Sequence, residues 1–103
     1  TDTAPHLISD KENCCGCAGI FNATYCLSIL AQIFDNEKKL YNLEKFVSIN
    51  GPLHYGLNVN KDKIKLVKCN NKLKFKKQLK RYKQNIEIFD PNFPVFWLVS
   101  DNK

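Results

Sequence analysis

The first stretch of the chain, Thr1–Asn22, reads TDTAPHLISDKENCCGCAGIFN and decides how the rest is read. It places a carboxylate, Asp2, four residues before an imidazole, His6, with Pro5 between them. Proline locks its own φ and pushes Ala4 towards an extended conformation, so Asp2 and His6 are held apart along the chain and not wound into one turn. A cluster of small residues follows, Cys15-Gly16-Cys17-Ala18-Gly19, directly before an apolar run with helical spacing. Acid and imidazole on a stiffened segment, next to a small-residue loop that opens a helix, suit one piece of an active-site rim. Spacing alone does not assign its chemistry, because short Asp/His pairs are common on loops.

The wording of the motifs narrows the reading. TDTAPH, then KE, then CGCAGIFNA, and later FVSINGPLHYGLNVN resemble dihydroorotase, the cyclic amidohydrolase of pyrimidine biosynthesis. The likeness is to the C-terminal part of the bacterial-type enzyme. It covers Thr1 to about Asn60 with three motifs in order and is loose from Lys61 onward. The resemblance implies the last portion of a zinc-dependent (β/α)₈ TIM barrel, an α/β fold, here with two helices followed by a β-rich tail. It implies that Asp2, at the end of the eighth strand, is both a metal ligand and the general acid/base. It further implies that His6 binds the substrate carboxylate and that Ala18 touches the substrate through its backbone. Two zinc ions, an N-carbamoyl-L-aspartate/L-dihydroorotate substrate, a homodimer and a cytoplasmic setting come with the resemblance. The family's metal-binding histidines and carboxylated lysine come from earlier strands and are absent from this sequence.

Length agrees with a partial barrel. The 103 residues suit one small domain, whereas an eight-stranded barrel takes about 250. The sequence divides into residues 1–60, the end of the barrel with its loop and two helices, and residues 61–103, a β-hairpin and strand extension of the same domain. Nothing resembles a leader, and no apolar run approaches the roughly 18 residues of a membrane span, so a soluble intracellular protein is expected.

The net charge of +6 is concentrated between Lys61 and Lys83, where the acid is Asp62. Clustered lysines neutralise phosphates, and a small basic module gripping nucleic acid or an acidic partner is the rival from another class. Steep salt dependence would mark it. The blander reading is a solvated lysine-rich surface, with Phe75 and Tyr82 serving packing. A third option is a non-catalytic dihydroorotase-like barrel kept for its interface. Cys14, Cys15, Cys17, Cys26 and Cys69 are odd in number. The C-C-x-C run departs from the paired spacing of structural zinc sites, so reduced cysteines are expected over a site made of these thiols and His6. His54 is read as structural.

Further along, Ile20–Phe34 predicts a helix from apolar positions at 20, 23, 27, 30, 31 and 34. Asn42 caps a second, Leu43–Asn50, with Leu43, Phe46 and Val47 on one side, ending at Asn50-Gly51-Pro52. KIKLVKC and KLKFK around Asn70-Asn71 predict a β-hairpin. Lys77–Gln84 reads as a basic loop or a turn of helix. Two strands, Asn85–Phe89 and Pro94–Val99, flank a break at Asp90–Pro94, and Trp97 in the last packs on the barrel's outside.

Overall fold

The computed structural model describes residues 4–12, 22–76, 78–81 and 84–100. They form a mixed α/β arrangement of short helices and two-stranded antiparallel sheets. The chain divides into two compact units, residues 1–26 with 74–93, and residues 27–73 with 94–103.

The first unit is built on a row of apolar side chains across three extended segments. β2 (Gln78–Arg81) pairs with β3 (Gln84–Glu87), setting Leu79 opposite Ile86. Leu7 bridges to Ile86 from the other side, so Leu7, Ile86 and Leu79 lie in line. Cross-strand apolar pairs of this kind stabilise a sheet by about 0.2–1 kcal/mol each. That explains why Lys77–Gln84, expected as a loop or helical turn, yields a strand: one leucine in register is its apolar payload. The Tyr25 ring meets Phe75 edge-on at 4.6 Å, and its hydroxyl accepts the Lys76 backbone N–H at 3.0 Å.

That anchorage also corrects the first long helix. α2 runs Cys26–Asn36, starting after a turn in which Tyr25 N–H donates to the Asn22 carbonyl. The chain winds only beyond the pinned tyrosine. Residues 20 and 21 of the expected helix lie outside the described residues, and Ala23 is exposed. The buried face is Ser28, Ile29, Ala31 and Gln32, turned from the expected one. Gln32 tolerates burial because both ends of its amide are used. Its Oε1 accepts the Phe96 N–H at 2.9 Å, and its Nε2 donates to Asn36 Oδ1 at 2.8 Å.

The second helical stretch is irregular. A 3₁₀ turn (Leu40–Asn42) leads into a π-helical segment (Lys45–Ile49) and then α3 (Asn50–His54). Asn42 therefore sits inside a turn and makes no cap, and the stretch does not end at Asn50. It continues through Gly51-Pro52 because Pro52 stands in the first turn of α3, directly after the π-helical segment, where its ring and missing donor are tolerated. The stop is Gly56, at φ +67°. Gly56 N–H donates to Leu53 and Leu57 N–H to Pro52, closing a Schellman motif.

The tail also departs from expectation. β1 (Lys65–Lys68) pairs with β4 (Trp97–Ser100), with Lys65 opposite Ser100 and Lys68 opposite Trp97. KLKFK forms no strand and follows the partner side instead, through Leu73 N–H to the Val95 carbonyl at 2.7 Å. A hairpin about Asn70-Asn71 would set Lys65 against Lys76, and like charges directly opposite destabilise a sheet. The neutral WLVS strand avoids that. Val95 and Ala31, both fully buried, with Ile29 and Leu43 make the apolar core of this unit among the described residues.

Candidate functional site

His6 sits on an extended entry that the backbone fixes from one side. Its carbonyl accepts the Glu87 N–H at 3.1 Å, and the next residue, Leu7, makes the bridge to Ile86. Leu7 is extended at φ −65°, ψ 147°, and α1 (Ile8–Lys11) starts directly after it. His6 and Leu7 are thus tethered to β3, and the half-buried His6 side chain leaves from a fixed main chain. Asp2 and Ala18, the other expected site residues, lie outside the described residues, as do Cys14, Cys15 and Cys17.

Zinc is tested by the donors that come together. Among the described residues no group of three His, Cys, Asp or Glu could hold a metal ion. His54, in the other unit from His6, is exposed and packs edge-on against Tyr55 at 4.8 Å. Cys26 and Cys69 are free, half-buried thiols. The described residues therefore do not make a zinc centre on their own.

The polar cluster that the structure does assemble was not singled out by the sequence reading. Asp35 Oδ2 accepts from Lys68 Nζ at 2.7 Å and from the Trp97 indole Nε1–H at 3.1 Å. The lysine, then the indole N–H, hold the Asp35 carboxyl below its ordinary range, against a weaker opposing push from burial. The signal was available: Gln32, Asp35 and Asn36 recur at helical spacing inside LAQIFDN, and polar residues so placed share one helix face. Trp97 is in the predicted terminal strand, but its recorded polar partner is a helix carboxylate. The lysine run is partly neutralised within its own unit, Lys68 by Asp35 and Lys63 by Glu44.

No family model matches the chain. Curated relatives do. A dihydroorotase of Jannaschia sp. (strain CCS1) is 43% identical over 101 residues, 98% of this chain. One of Chelativorans sp. (strain BNC1) matches equally, and one of Agrobacterium fabrum (strain C58 / ATCC 33970) is 42% identical over 97% of the chain. Its relatives are dihydroorotases. The chain spans about 29% of the length of these relatives. Similarity to the dihydroorotases is wider than the motifs suggested: it runs through the tail after Lys61 as well as through the first sixty residues. No helix among the described residues is long and apolar enough to cross a membrane.

Proposed function

We propose that this chain is the C-terminal portion of a dihydroorotase, which reversibly cyclises N-carbamoyl-L-aspartate to L-dihydroorotate with loss of water. The observation that carries the reading is identity above 40% to dihydroorotases across nearly the whole chain, TAPH segment included. In the ring-opening direction Asp2 takes a proton from the attacking water and delivers it to the leaving amide nitrogen. His6 donates an imidazole N–H to the substrate carboxylate, a charge-assisted bond that fixes the ring for attack. The tether of His6 and Leu7 to β3 supports that role, since a donor on a fixed main chain loses little entropy on binding. Ala18 contributes a backbone contact. Zinc supplies Lewis acidity in this reading; Asp2 brings one ligand, and the others come from outside this sequence. The intact enzyme is a cytoplasmic (β/α)₈ barrel and a homodimer, with residues 1–60 closing the barrel and 61–103 extending it.

The test grafts these 103 residues in place of the matching portion of the Jannaschia sp. enzyme. The graft closes the ring. Asp2→Asn keeps the fold and lowers kcat by about 10²–10⁴-fold, the usual worth of a general acid/base. His6→Ala lowers kcat/KM by roughly 10-fold or more, as loss of a hydrogen bond to a charged group costs about 1.5–3 kcal/mol. Near-normal kcat in the first variant, or unchanged kcat/KM in the second, removes that residue from the mechanism.

A further inference from the structure

The second unit carries a groove of about 600 Å³ with two walls. Leu40, Leu43 and Val47 of the helical stretch form one, Ile64 just before β1 and Leu66 within it the other, and Leu27 also lines it. The Glu44–Lys63 ion pair ties the walls together, both partners lining the groove. The lining is mostly apolar, yet Ile64 is 62% exposed. A unit that buries so few apolar residues and leaves so many large ones open is short of core.

We propose that this groove seats an apolar segment of the rest of the dihydroorotase chain, the portion of the relatives' length, more than two thirds, that lies outside the match. The inference rests on the functional reading above. A second copy fits the groove poorly, because a two-fold contact presents the same patch to itself and two concave surfaces leave the space between them empty. A small ligand fits poorly too, since such sites enclose most of the ligand's surface, and here one wall is an isoleucine largely open to solvent. A packed segment removes both objections. It covers Ile64, and the polar rim at Ser48, Asn60 and Asp62 can meet its backbone ends.

The experiment uses the same graft and reads melting temperature beside activity. Ile64→Ala removes little if residue 64 faces water, but opens a cavity if a segment lies on it. Covered, it lowers Tm by on the order of 5 °C, and the shift is independent of protein concentration. Unchanged Tm in Ile64→Ala overturns the proposal. So does a loss that appears only as the oligomer dissociates, which would assign the groove to a second copy, and so does a graft that fails to fold. A folded graft that shows the Tm loss but closes no ring keeps the groove and defeats the functional reading instead.

Discussion

Asp35 is where one side chain does most to join the elements of its unit. Its carboxylate takes donors from β1 and β4 at the end of α2. Because the folded state holds its pKa below the ordinary range, the unfolded chain binds the proton first as pH falls. The contribution is therefore complete above the ordinary carboxylate pKa and is lost as pH drops through the depressed one. Trp97, the chain's single tryptophan, reports on it directly. In the grafted enzyme that residue's emission is expected to change on acidification across this window, once any host tryptophans are replaced by phenylalanine. In Asp35→Asn that step disappears, since asparagine still accepts from the indole but carries no charge for Lys68. An identical acid titration in both proteins would detach the carboxylate from Trp97. That Ala4–His6 winds into no helical turn was legible from TDTAPH because proline chemistry is local. Asp35 was not, because its partners lie 33 and 62 residues away in sequence.

At the scale of elements, two helix ends make the same turn with different residues. α2 closes through Lys38 at φ +57°, with Lys38 N–H to the Asp35 carbonyl and Lys39 N–H to that of Phe34. The stretch ending in α3 closes through Gly56 at φ +67° with the matching pair of bonds. A β-carbon at Gly56 would meet nothing within 4 Å, so its cost is conformational. Gly56→Ala should destabilise by about 1–2 kcal/mol and Lys38→Gly should stabilise by up to about 1 kcal/mol, both read by urea denaturation. Equal small effects of one sign would contradict the left-handed assignment. The sequence offered Gly51-Pro52 as the nearer stop, and a pattern reading takes the first terminator it meets. It could not see that a π-helical turn lets the proline pass. The first lysine strand was legible at Lys65–Lys68, but its partner was not, since the neutral strand arrives only at Trp97.

At the scale of the whole molecule, the family was legible because three motifs stand in order in the first sixty residues. The proposed barrel is not visible among the described residues, whose strands form two pairs. A sheet that closes needs neighbours that this sequence does not contain. The functional account predicts that chemistry follows from joining the two portions. The most direct measurement is L-dihydroorotate formation from N-carbamoyl-L-aspartate by three zinc-loaded samples. These are the 103 residues alone, the remaining portion of the Jannaschia sp. enzyme alone, and the two together. The account predicts turnover in the mixture, none in either part, no stoichiometric zinc on the 103 residues, and loss of the recovered turnover with Asp2→Asn. Ring closure with stoichiometric zinc by the 103 residues alone, or a folded mixture that closes no ring, would contradict it.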